Sequence, residues 1–135
     1  MKKKKILVVD DELDMRTFLC TFLGTCGYKP IAASNGSEGM QKVRENKPEL
    51  IILDVMLPQK GGIQMYRELK TDDELKNIPV IMLSGISKKT YLHSQNMLNV
   101  SEGLSVPEPE AYIEKPPEPE ELYELTKTLL KPQNE

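Results

Sequence analysis

Five polar residues stand where short apolar runs end. Asp10 and Asp11 close Ile6-Leu7-Val8-Val9, and Asp54 closes Leu50-Ile51-Ile52-Leu53. Ser84 closes Val80-Ile81-Met82-Leu83, and Lys115 follows Ala111-Tyr112-Ile113-Glu114. Three carboxylates, a hydroxyl and an ammonium form a set able to hold a hard divalent cation together with a phosphoryl group. Mg2+ takes a few carboxylate oxygens, keeps several waters and shares ligands with phosphate. Clustered carboxylates repel one another, and a divalent cation relieves that repulsion. Asp54 is of the type required of a nucleophile, because a carboxylate can attack phosphorus to give an acyl phosphate. The metal ion and Lys115 would neutralise charge on the transferring oxygens. Ser84 would donate a hydrogen bond to one of them once the phosphoryl group has arrived.

Each residue alone has a plainer reading. Asp-Asp after a strand most often caps a helix, with Glu12 extending an acidic first turn. A lone Ser at a strand end is usually a turn residue, and a Lys before Pro is commonplace. The joint occurrence at four strand ends carries the inference, and it depends on the elements that bring these ends together. Short apolar runs separated by helix-length amphipathic stretches read as parallel strands buried on both faces. In such a sheet the carboxyl ends of the strands share one edge, where ligands bind.

The pattern is βαβαβαβαβα without an internal repeat. Strands are expected over about 4–9, 28–33, 50–53, 79–83 and 111–114. Helices are expected over about 13–26, 37–46, 62–70 and 88–99, and from Pro119 to near Lys127 or Lys131. Gly27 stops the first helix, and Pro30 suits an edge strand or a strand start. Ser34-Asn35-Gly36 can cap the second helix, and Pro48 bars its continuation. In the first helix Cys26 continues the apolar stripe of Met15, Phe18, Leu19, Phe22 and Leu23, with Cys20 beside it. The two cysteines point to different faces and read as buried or half-buried thiols, not a redox pair. Leu122, Leu125 and Leu129 form the core face of the last helix. The stretch from about 100 to 110 is too polar and proline-rich for a core element and reads as a long loop. The fold class that follows is α/β, a doubly wound parallel sheet of five strands with helices on both faces. One domain spans 1–131, with a short tail over 132–135.

A chain of 135 residues, 39% hydrophobic and 29% charged, has the composition of a single globular domain rather than a disordered one. No apolar run approaches the ~20 residues that span a bilayer. Only four apolar residues follow Lys2-Lys3-Lys4-Lys5 before Asp10, so no signal peptide is expected and the cytoplasm is the expected compartment. A net charge of −3 gives no reason to expect direct binding of nucleic acid, and the lysine tetrad reads as a solvated lead-in to the first strand. His93, the only histidine, lacks a Cys or second His partner and reads as a solvated side chain. Met40, Met65, Met82 and Met97 read as packing residues.

These segments together resemble the receiver domain of bacterial two-component response regulators, the CheY-like group. The resemblance is carried by Ile6–Glu12, Ser34-Asn35-Gly36, Pro48–Gly62, Pro79–Gly85 and Ala111–Pro116, and extends from about Ile6 to Leu130. It implies a flavodoxin-like sheet in the strand order 2-1-3-4-5, with Asp54 as the phosphoacceptor and Asp10, Asp11, Asp54 and the backbone carbonyl of Met56 holding Mg2+. It implies further that Ser84 is the switch hydroxyl, Lys115 the phosphate-pairing lysine and Tyr112 the switch aromatic. A cis peptide between Lys115 and Pro116 would fit the group, and Pro58 and Gly62 match its loop after the phosphoacceptor. The implied partners are a histidine kinase or phosphotransfer protein, and a downstream protein or effector domain at the face of the fourth helix, fifth strand and fifth helix. A phosphorylation-dependent dimer belongs to the same expectation, and no membrane partner does. The implied chemistry is self-phosphorylation and autodephosphorylation, not turnover of an outside substrate.

Some positions depart from the group. Met56 and Ile86 place apolar side chains where attacking water would approach, and Pro117 stands where an aromatic commonly follows Lys-Pro. The 30 residues between Ser84 and Lys115 form a connection longer than usual by about two helical turns. After the last helix only Lys131–Glu135 remains, so no effector domain is expected in this chain. Two other classes compete. An aspartyl-nucleophile phosphohydrolase wants an acid two residues after the nucleophile, where this chain has Met56. A flavin- or nucleotide-binding doubly wound domain wants a phosphate-cradling Gly/Ser loop after the first strand, where Asp10-Asp11-Glu12 would repel phosphate.

Overall fold

The apolar runs 6–9, 50–53 and 80–83 become strands because every one of their side chains finds a covered face. The computed structural model describes residues 2–55, 61–93 and 106–130. Strands β1 (Lys5–Val9), β2 (Lys29–Ala33), β3 (Leu50–Asp54), β4 (Val80–Ser84) and β5 (Ala111–Glu114) form one parallel sheet in the order β2-β1-β3-β4-β5. Helices α1 (Leu13–Thr25), α2 (Gly36–Asn46), α3 (Gly62–Thr71) and α5 (Pro119–Leu129) join or follow the strands. A further helix, α4, begins after β4 and is described over 88–93. The expected order is the observed one, and Pro30 lies on the edge strand. No helix among the described residues is long and apolar enough to cross a membrane.

Alternation along the strands splits the core into two layers. Leu7, Val9, Ile51, Leu53, Val80 and Met82 face Met40 and Val43 of α2, Met65, Tyr66 and Leu69 of α3, and Tyr91 of α4. Ile6, Val8, Leu50, Ile52, Ile81, Leu83 and Ile113 face Leu19 and Leu23 of α1 and Leu122 of α5. Each fully buried Leu or Ile contributes about 1.5–3 kcal/mol by leaving water, so both faces of the sheet are committed and its register is fixed.

Local signals end the elements as expected. Gly27 adopts φ 94° after α1. The Asn35 side chain accepts from the Glu38 N–H at 2.9 Å, while Glu38 Oε1 accepts from the Ser34 N–H at 2.7 Å, a reciprocal cap on α2. Gly62 admits no alternative, because a Cβ there would lie 2.0 Å from the Asp54 carbonyl oxygen. The backbone after Asp54 and the start of α3 therefore press directly on each other.

Three expectations about packing change. Phe18 is 40% exposed and stacks on Phe22, and Cys20, not Cys26, packs against the core, so the buried stripe of α1 is rotated toward Leu19 and Leu23. Pro117 is buried despite replacing an aromatic. The end of the β4–β5 connection is no free loop, because Val106 is buried and the Tyr66 hydroxyl donates to the Pro107 carbonyl at 2.7 Å. Lys70, its side chain 2% exposed, donates to Glu110 at 2.9 Å and to the carbonyls of Lys76 and Ile78, and Glu110 also accepts from the Val80 N–H. His93 is exposed and Met40, Met65 and Met82 are buried, as expected. Met56, Pro58, Met97, the remainder of the expected helix to 99, residues 100–105 of the expected loop and the tail over 132–135 lie outside the described residues.

Candidate functional site

Parallel pairing of β1 with β3, with Val9 opposite Leu53, carries Asp10 and Asp54 to the same edge of the sheet. Asp10 is the first residue after β1, whereas Asp54 and Ser84 are the last residues of their strands, one place further in than the apolar runs alone suggest. Asp10, Asp54 and Ser84 are all buried. Pairing of β4 with β5 sets Ser84 opposite Glu114, and the Lys115 N–H then donates to the Ser84 carbonyl at 2.8 Å. The sheet alone thus gathers Asp10, Asp54, Ser84 and Lys115 from four strand ends.

The backbone fixes Asp10 on several sides. Its N–H donates to the Ala33 carbonyl at 3.1 Å, and its carbonyl accepts from Arg16 Nη1 at 2.8 Å. Its Oδ1 accepts from the Glu12 N–H at 2.9 Å. The other oxygen, Oδ2, is buried without a hydrogen bond, and the Lys115 ammonium stands 3.0 Å from it as an ion pair. The same ammonium lies 2.9 Å from Glu12 Oε1 and 3.2 Å from Asp54 Oδ2. Burial alone would lower the Lys115 pKa, but the carboxylates of Glu12, Asp10 and Asp54 outweigh it and hold the ammonium above the ordinary lysine range. Glu12 in turn is held below the usual carboxylate range by its hydrogen bond and charge contact with Lys115.

Asp10, Glu12 and Asp54 bring one carboxylate oxygen each within 4.8 Å of the others. Hard oxygen donors this close suit Mg2+ or a similar cation. The buried Asp10 Oδ2 has the Lys115 ammonium as its partner, so a cation seated among these oxygens would take that oxygen in competition with the lysine. Asp11 is exposed and stands outside this trio. Glu12, read from the sequence only as part of an acidic first turn, stands inside it. The Met56 carbonyl lies outside the described residues.

Ser84 and Tyr112 share one peptide neighbour. Ser84 Oγ accepts from the Ile86 N–H at 3.3 Å, and the Tyr112 hydroxyl donates to the Ile86 carbonyl at 2.8 Å. Tyr112 is half-buried and Ile86 partly buried. The Lys115-Pro116 peptide is cis, as the resemblance implied. The site is therefore an acidic pocket closed by one lysine, with a buried hydroxyl beside it and a tyrosine linked to that hydroxyl through a single residue.

The chain matches the family model of the response regulator receiver domain over residues 6–127. It is 38% identical over 89 residues to the polar-differentiation response regulator DivK of Brucella anthropi, covering 66% of this chain and 72% of that one. It is 36% identical over 131 residues to the phosphate regulon transcriptional regulatory protein PhoB of Pseudomonas aeruginosa, covering 97% of this chain and 53% of PhoB. The chain thus spans about half the length of that relative. Among solved structures, it superimposes on the signal receiver domain of a signal transduction histidine kinase from Syntrophus aciditrophicus with a TM-score of 0.79. The identity there is 29%, with 94% of this chain and 89% of that one covered.

Proposed function

Because the chain belongs to the response regulator receiver domain family of two-component systems, we propose that Asp54 accepts a phosphoryl group from a phosphohistidine of a partner kinase and that the site converts this event into a change of surface. In this reading an Asp54 carboxylate oxygen attacks phosphorus, a P–O bond forms and the P–N bond breaks. The electron pair of that bond stays on the imidazole, which takes up a proton as it leaves. Asp54 is held for this role by its place at the end of the central strand. Lys115, already beside it, can follow the charge onto the phosphoryl oxygens.

Asp10, Asp11 and Asp54, with the Met56 carbonyl, are the proposed ligands of Mg2+, and Glu12 is near enough to join or compete. When bound, the ion supplies charge neutralisation for the transferring phosphoryl oxygens. Ser84 donates its hydroxyl hydrogen to one of those oxygens, and Tyr112 responds through Ile86. The helix α4, strand β5 and helix α5 surface then presents a changed face to a downstream protein or effector domain, or to a second copy. The chain acts on itself and turns over no outside substrate. The same reading places it in the cytoplasm.

The observation that carries this reading is the Lys115 ammonium set against Asp10 and Asp54 at the edge where four strands end. Incubation with Mg2+ and acetyl phosphate should add one phosphoryl group by intact mass, and Asp54→Ala should remove it. Unchanged labelling of that variant would end the assignment. Asp11→Ala and Glu12→Gln decide the remaining ligand. The first should abolish the Mg2+-dependent rise in thermal stability, and the second should not.

A further inference from the structure

Tyr91, in the first turns of α4, is 1% exposed. Its ring lies 5.3 Å from that of Tyr112 at 37°, in contact range for an aromatic pair. Its hydroxyl is buried and has no hydrogen-bond partner among the described residues. Native structures seldom leave such a group unpaired, and a reservoir of strain is one role in which it is found. The neighbouring hydroxyl is in the opposite condition, since Tyr112 donates to the Ile86 carbonyl at 2.8 Å. Of the two adjacent tyrosines, only Tyr112 has an acceptor for its hydroxyl among the described residues.

We propose that Tyr91 is a positioning residue of the switch, a second aromatic whose unpaired hydroxyl biases the site toward leaving its present arrangement. The inference rests on the proposed role of Asp54 and adds a residue to it. If Ser84 turns its hydroxyl onto a phosphoryl oxygen, it gives up the Ile86 N–H, and the peptide that holds Tyr112 shifts. Once Tyr112 leaves the Ile86 carbonyl, its ring no longer fixes the ring of Tyr91. Tyr91 then repacks, takes a partner for its hydroxyl and moves the start of α4 with it. A ligand shifts such an equilibrium only through contacts that differ between the two arrangements. Here the hydrogen bond gained by Tyr91 adds to those made by the phosphoryl group.

Tyr91→Phe removes the hydroxyl and keeps the ring. In the unphosphorylated protein it should raise the melting temperature by about 3–6 °C, whereas Tyr112→Phe, which loses a made hydrogen bond, should lower it. With Mg2+ present, the beryllofluoride concentration giving half of the amide-exchange change over 86–93 and 111–114 should rise about five-fold in Tyr91→Phe. A melting temperature that stays or falls would show the hydroxyl already paired and would overturn the proposal. A raised melting temperature with an unchanged beryllofluoride midpoint would overturn it as well, leaving only an unpaired hydroxyl with no part in the switch. A wild-type protein that shows no response to beryllofluoride would instead overturn the phosphoacceptor reading, and the role of Tyr91 with it.

Discussion

Lys115 and Asp54, 61 positions apart in the chain, stand 3.2 Å from each other. The proposed nucleophile thus carries a counter-ion of its own before any ligand arrives. That ion is shared with Asp10 and Glu12, so one ammonium answers three carboxylates. In the proposed function, a divalent cation entering the pocket would compete with the lysine for the same oxygens and would free it to follow the phosphoryl oxygens.

This competition predicts the behaviour of Lys115→Met. Removing the ammonium takes the cation from the buried Asp10 Oδ2 and from Asp54 Oδ2. The variant should lose about 2 kcal/mol of stability in a chelating buffer, less than for a fully buried pair because the lysine side chain is 15% exposed. Millimolar Mg2+ should then raise the melting temperature of the variant by more than that of the wild type. Equal increments in the two proteins would show that ion and lysine do not share oxygens.

The pH dependence follows from the two shifted groups. Lys115 has its folded-state pKa raised, so its contribution is complete below its ordinary value of 10.5 and is lost as pH rises through the folded value. Glu12 has its folded-state pKa lowered, so its contribution is present above its ordinary value of 4.5 and is lost as pH falls through the folded value. The stability difference between wild type and Lys115→Met should therefore be flat between about pH 6 and 9. It should narrow in acid below pH 4.5, as Glu12 takes up its proton, and again in strong alkali. Urea melts across that range would measure it, and a difference that widens in acid would contradict the assigned pair.

The Lys70–Glu110 pair makes a prediction away from the site. Lys70→Met leaves Glu110 facing the sheet without its cation, and Glu110→Leu strands the ammonium. Each should cost about 2–3 kcal/mol. The double variant should cost clearly less than the two added together, because neither charge is left alone. Additive losses in denaturant melts would show that the pair is not coupled.

The edge that gathers Asp10, Asp54, Ser84 and Lys115 was legible in the apolar runs themselves, whereas the sheet order and the cis Lys115-Pro116 peptide were implied by the family resemblance. Buried parallel strands announce themselves as apolar runs, and their shared edge follows from topology. Other features depended on packing that no local pattern carries. Glu12 reads as a first-turn acid because its reach to Lys115, across 103 positions, is set by how α1 meets β5. Lys70 reads as a solvated helix residue, and only the return of the chain at Glu110 buries it. Tyr91 lies on a helix with few apolar residues, so nothing in its spacing shows that it enters the core beside Tyr112. Both cysteines are half-buried as expected, but Cys20 is the one that packs against the core because the buried stripe of α1 is rotated toward Leu19 and Leu23.

The grip of Tyr66 and Lys70 on Pro107 and Glu110 also has a meaning for how this chain can vary. Ahead of β5 the chain is moored at Pro107 and Glu110, five and two residues before Tyr112, which lies opposite Met82. Doubling the length of a flexible closed loop costs only about 0.6 kcal/mol. Insertions or exchanges upstream of Val106 should thus leave the register of β5 untouched. The mooring would in effect isolate β5 from changes of length upstream, so that new sequence could be spliced in there without moving the strand end that carries Lys115 to the pocket.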